Sequence, residues 1–169
     1  MKYKIVTLCA IALCLSLLLS SCLVASEPPP LSDAIAEFSD CYGSLPPGRL
    51  YLSKRSEWEE GFFSGELRAS LFGRDPSEAV GGDIEFGVWL GSASSAVAEF
   101  GIFICANRSD AEIVSELCLT RIDRLRSPMY GNVDVGALEG AFITIGGSVV
   151  IYAVLPDADS ARRAANAVL

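Results

Sequence analysis

The chain contains no histidine. That removes the side chain most often used as a general acid or base, and it excludes the Ser-His-Asp and Cys-His arrangements of most hydrolases. It also strips the common zinc-ligand sets down to thiolates and carboxylates, so no metal is expected. Positive charge is scarce as well. Thirteen lysines and arginines face 21 aspartates and glutamates, for a formal net charge of −8, and Lys2, Lys4 and Lys54 are the only lysines. An acidic body repels phosphate backbones, so nucleic acid is not expected as a partner. No Gly-x-Ser-x-Gly elbow, phosphate-binding loop or dinucleotide fingerprint occurs, so no cofactor and no catalytic residue is assigned. Cysteine pairs at Cys-x-x-Cys spacing are missing too, although six cysteines are present. Cys105 falls in an apolar strand pattern and Cys118 on the apolar side of a helix pattern. Both read as small core hydrophobes, and whether they or Cys41 enter a disulfide is left open.

One long apolar run is present, and it lies at the N-terminus. Lys2 and Lys4 are followed by nearly unbroken hydrocarbon over residues 5–19, then by Ser20, Ser21 and Cys22. A charged start, an apolar middle and small residues at a cut site form a secretory signal. The run Leu19-Ser20-Ser21-Cys22 resembles the lipobox of a bacterial lipoprotein signal. The resemblance implies cleavage before Cys22, diacylglycerol on its sulfur and a palmitate-type acyl chain. The same stretch is long enough to span a bilayer uncleaved, which takes roughly 20 apolar residues. Both readings put the body on the extracytoplasmic face of the cell membrane. The expected organisation is a signal peptide at 1–21, a lipidated tether at 22–30 stiffened by Pro28-Pro29-Pro30, and a single domain at 31–169.

Within the domain, Ser32 is placed as the cap of a helix reaching about Tyr42, and residues 49–53 read as extended. Ser64 caps a short helix stopped at Gly73, and residues 74–83 read as loop. Ile84, Phe86, Val88 and Leu90 alternate as a strand with one apolar face. Residues 97–106 are a nearly continuous apolar strand, expected near the sheet centre. Ser109 and Glu112 form a capping box for a helix ended by Pro128, with Ile113, Val114, Leu117, Cys118, Ile122 and Leu125 on one stripe. Residues 135–145 and 148–155 read as a hairpin turning at Gly146-Gly147, and Pro156-Asp157 opens a last helix. Strands joined by tight turns must be antiparallel. The expected fold is α+β, an antiparallel sheet of about four to five strands with helices packed on one face.

Several segments together resemble an uncharacterised family of lipoproteins from Gram-positive bacteria that share a domain of unknown function. They are Leu45-Pro46-Pro47-Gly48-Arg49-Leu50-Tyr51, Glu99-Phe100-Gly101-Ile102-Phe103, Arg121 and Leu155-Pro156-Asp157, with the lipobox before them. The resemblance runs over about residues 84–169. It implies an envelope location and a strand-strand-helix-strand-strand layout, and it implies no catalytic residues.

Glu99 is the most distinctive polar residue, because it interrupts an apolar strand. A carboxylate there must be paired, at a strand end or solvated in a cleft. It reads either as half of a structural ion pair with Arg121 or Arg49, or as the lining of a binding groove. Arg121, Arg124 and Arg126 read either as a surface for an anionic partner or, more simply, as answering Asp123 and Glu116 and favouring the helix C-terminus. Glu57, Glu59 and Glu60 read as a solvated run. Trp58, Phe62 and Phe63 form either an exposed patch or one end of the core. The resulting expectation is a membrane-anchored, non-enzymatic binding or interaction module of the bacterial envelope, with the membrane and another envelope protein as partners. The alternative is a hydrolase of the cell envelope that depends on carboxylates alone.

Overall fold

The computed structural model describes residues 27–92, 98–127 and 135–169. The expected signal peptide, Cys22, most of the tether, the turn after Gly91 and the stop at Pro128 lie outside these residues.

The elements run α1 (Leu31–Tyr42), β1 (Gly48–Leu52), α2 (Gly65–Phe72), α3 (Pro76–Val80), β2 (Glu85–Gly91), β3 (Glu99–Ile104), α4 (Arg108–Leu125), α5 (Val135–Glu139), β4 (Phe142–Gly146), β5 (Val149–Val154) and α6 (Ala158–Val168). The five strands form one antiparallel sheet in the order β1-β2-β3-β5-β4. β3 is central, which explains why it is apolar on both sides, and the fold is α+β as expected.

Side chains of successive strand residues point to opposite faces, and both faces are apolar here. Phe86, Val88, Phe103, Val150 and Tyr152 pack with Leu71 and Phe72 of α2 and with Val114, Cys118, Ile122 and Leu125 of α4. Trp89, Phe100, Ile102, Ile151 and Ala153 pack on the other side with Phe38 of α1 and with Ala161, Ala164 and Ala165 of α6. The expectation of helices on one face therefore needs correcting: the sheet lies between two helical layers. Each layer buries its own stripe, and β3 and β5 have no solvent-facing side.

Local chemistry explains the boundaries. Ser64 accepts from Leu67 N at 3.2 Å, and Gly73 ends α2 at φ +85°. The expected loop at 74–83 holds α3, because the Asp75 carboxylate caps Ser77 N at 3.0 Å and Pro76 suits a first helical position. α1 starts two residues earlier than placed, with Pro30 and not Ser32 at the cap position. The Pro30 carbonyl accepts from Asp33 N and Ala34 N, and Ser32 lies inside the helix. α4 is capped by Asn107, which accepts from Asp110 N at 3.0 Å, and not by Ser109. The expected strand at 135–145 is in fact a helical turn followed by β4. Gly140 ends that turn where a Cβ would stand 2.6 Å from Ala158 Cβ, so α6 leaves room only for glycine.

Candidate functional site

Glu99 opens β3, opposite Leu90 on one side and Val154 on the other. By strand alternation its side chain shares a face with Phe103 and points toward α4. On α4, Val114, Cys118, Arg121, Ile122 and Leu125 form the buried stripe, so helical spacing brings Arg121 down onto the sheet. The two side chains meet in a fork. Arg121 Nε donates to Glu99 Oε1 at 2.8 Å and Nη2 to Oε2 at 2.7 Å. Their side chains are 5% and 2% exposed. Each carboxylate oxygen thus receives its own charge-assisted bond, the geometry in which a guanidinium holds a carboxylate best.

Tyr152 is fully buried on the neighbouring strand, and its hydroxyl makes no hydrogen bond of ordinary geometry. Burial pushes its pKa well up, and the nearby Glu99 carboxylate adds to the rise. Burial likewise raises the Cys118 thiol well above its ordinary value, and the Cys105 thiol to about 12 with a contribution from Asp110. Both cysteines are free and buried, while Cys41 is free and exposed.

The other residues singled out from the sequence are scattered. Arg49 pairs with exposed Glu60 at 3.7 Å and not with Glu99. Arg124 donates to the Ser70 carbonyl at 2.8 Å, tying α4 to α2, and Arg126 pairs with Asp123 at 2.9 Å. Lys54 is held by Asp83 at the surface. Glu59 folds back to accept from Ser56 N and Oγ, bonds that lower its pKa. The aromatic trio divides: Trp58 is 88% exposed, while Phe63 is wholly buried. A second enclosed ion pair, Arg68 with Asp75 at 2.8 Å, had no signal in the sequence, because its members belong to different short helices or their caps.

Grooves among the described residues are shallow. One measures about 340 Å³, beside Arg126, Val135, Leu138 and Glu139, and another about 320 Å³, beside Leu31, Ile35, Leu50 and Leu52. Neither includes Glu99 or Arg121. Among the described residues no group of three or more histidine, cysteine, aspartate or glutamate side chains is placed to hold a metal ion. No helix among them is long and apolar enough to cross a membrane. Comparison of the chain with protein families, characterised proteins and solved structures gives no match.

Chemically, the Glu99–Arg121 pair joins α4 to the sheet centre. A carboxylate with both oxygens committed, and closed off from water, has no route to a substrate proton. The geometry is that of a buried strut.

Proposed function

We propose that the protein is a lipid-anchored envelope protein whose body works as a binding or interaction module and not as an enzyme. The observation that carries this reading is the Leu19-Ser20-Ser21-Cys22 run at the end of the apolar N-terminal stretch. In this reading Cys22 becomes the first residue and carries the acyl chains, and the body stands on the extracytoplasmic side of the cell membrane. Two acyl chains hold a protein stably where one is marginal. The proposed partner is another envelope protein, reached by a body kept close to the bilayer.

The carboxylate hydrolase reading needs two free carboxyl groups about 5 to 10 Å apart across a cleft. Glu99, the carboxylate best suited to it by sequence, is committed to Arg121. That commitment favours the interaction module.

Metabolic labelling with an alkyne fatty acid tests the anchor. Wild-type protein should take up the label and sediment with membranes, and Cys22→Ser should lose the label. An unlabelled wild-type chain, or recovery of the body from the cytosol, overturns the reading. Affinity capture from membranes, wild type against Cys22→Ser, then tests the partner: an envelope protein held by the lipidated chain should be lost in the variant.

A further inference from the structure

The two edges of the sheet are treated differently. At the β1 edge, Leu52 N donates to Gly61 O at 2.9 Å, a bridge joins Leu52 to Phe62, and Arg49 adds a charge. Such covering and charging are the usual protections of an exposed edge. β4, at the opposite edge, reads Phe142-Ile143-Thr144-Ile145-Gly146, with no charge and no proline.

Which backbone groups of β4 are open follows from its hairpin. Gly146 pairs with Val149 across the two-residue turn Gly147-Ser148, so Gly146, Thr144 and Phe142 direct their N–H and C=O groups to β5. Cys105 N donates to Ser148 O at 3.0 Å, which fixes the complementary alternation on the β3 side of β5. Ile143 and Ile145 therefore direct their N–H and C=O groups outward. No described residue pairs with this side of β4, since the sheet ends there.

We infer that β4 is the docking edge for β4 of a second copy of this chain, joined antiparallel about a two-fold axis at Thr144 to make a continuous ten-stranded sheet. The inference rests on self-complementarity and does not depend on lipidation. With Thr144 opposite its own copy, Ile143 faces Ile145 of the second copy as a hydrogen-bonded pair, twice over. All four open N–H groups and carbonyls of these isoleucines are then used. On one face Ile143 meets Ile145. On the other, Thr144 meets Thr144, and Phe142 meets Gly146. Threonine pairs and aromatic side chains opposite β-branched or glycine residues are favourable cross-strand matches. A register shifted by one residue would leave the outward groups facing the wrong way.

The helical layer agrees with this axis. Arg162 lies over the Phe142 ring at 4.6 Å, and Leu169, 44% exposed, lies over Gly146. The two-fold brings Phe142 of one copy beside Leu169 of the other. It keeps the two Arg162 groups at opposite ends, since Phe142 and its copy are offset by four residues, about 14 Å along the strands. The shallow groove of about 180 Å³ between Phe142, Thr144, Arg162 and Asn166 lies along this seam.

The test is disulfide trapping in the full chain in membranes, with Cys41→Ser as background because Cys41 is exposed. Opposed residues in a non-hydrogen-bonded antiparallel pair have Cα atoms about 4.5 Å apart, within disulfide reach. Thr144→Cys should double the apparent mass on non-reducing gels under mild oxidation, and the parent should not. Adding Ile145→Pro, which removes an outward N–H, or Ile143→Lys should abolish trapping while the chain still melts cooperatively. Both residues pack against the α4-side core, so a lowered melting temperature is expected and does not bear on the inference. A chain that stays monomeric, trapping that survives both edge variants in folded protein, or equal trapping through Arg49→Cys at the other edge overturns the inference.

Discussion

The ring of Tyr152 fills the space above Gly101, its partner across the β3–β5 ladder. A Cβ on Gly101 would stand 2.4 Å from Tyr152 Cε1 and 3.1 Å from Phe103 Cε2. Both are ring carbons in a packed core, so neither can yield cheaply. Gly101→Ala should cost about 1–3 kcal/mol through overpacking, read from urea unfolding. A variant as stable as wild type would show that the ring has room to move.

The Glu99–Arg121 fork predicts non-additive energetics. Glu99→Leu or Arg121→Met alone breaks the fork between two buried charges and should cost about 3–5 kcal/mol. The double variant removes both charges and should recover most of that, ending near wild-type stability. Denaturant unfolding of the four proteins closes the cycle, and simple additivity of the two single losses would contradict the strut.

Tyr152→Phe removes a buried hydroxyl that has no ordinary hydrogen bond. Such a group carries its desolvation cost without a matching gain. Stability should hold or rise slightly in thermal melts, and a marked loss would show that the hydroxyl is satisfied.

The thiols should separate by accessibility and pH. At neutral pH a thiol reagent should titrate Cys41 and spare Cys105 and Cys118 until the chain unfolds. Because Cys105 is raised in the folded state to about 12 from an ordinary 9.0, the folded form resists losing the proton. Its contribution is fully present below pH 9.0 and is lost as pH rises toward 12. Cys105→Ala should flatten the alkaline fall in stability, measured by unfolding across that window.

At acid pH the sign reverses. Asp157 caps α6, accepting from Ser160 Oγ and Ser160 N, and those bonds hold its carboxyl below the ordinary 3.8. Its contribution is present above 3.8 and is lost as pH falls through the lower folded value. Asp157→Asn keeps a capping oxygen but has no proton to gain, so its melting temperature should fall less between pH 5 and 2 than that of wild type.

Legibility in the sequence followed how local the governing interaction was. Ser64 and Gly73 bound α2 through bonds within one turn, and both were placed correctly. The central position of β3 was readable because burial on two faces needs a continuous apolar run. The split at 135–145 was not readable, since Gly140 is required by Ala158 of α6, a neighbour only in space. The two-sided helical cover is not legible in the sequence, because α1 and α6, distant along the chain, share one face. Glu99 stood out as a charge in an apolar strand, and Arg121 was named as one of its two candidate partners. The choice of Arg121 over Arg49 needed the fold.

The order of residues by itself determined the strand and helix periods, the antiparallel sense of the hairpins and the acidic, histidine-free chemistry, because each depends on neighbours within a few positions. Only the tertiary structure decided that helices cover both faces, that Arg121 closes on Glu99, and that uncharged β4 is the last strand of the sheet among the described residues. Those outcomes depend on which distant surfaces meet, and packing of whole layers, not local preference, selects them.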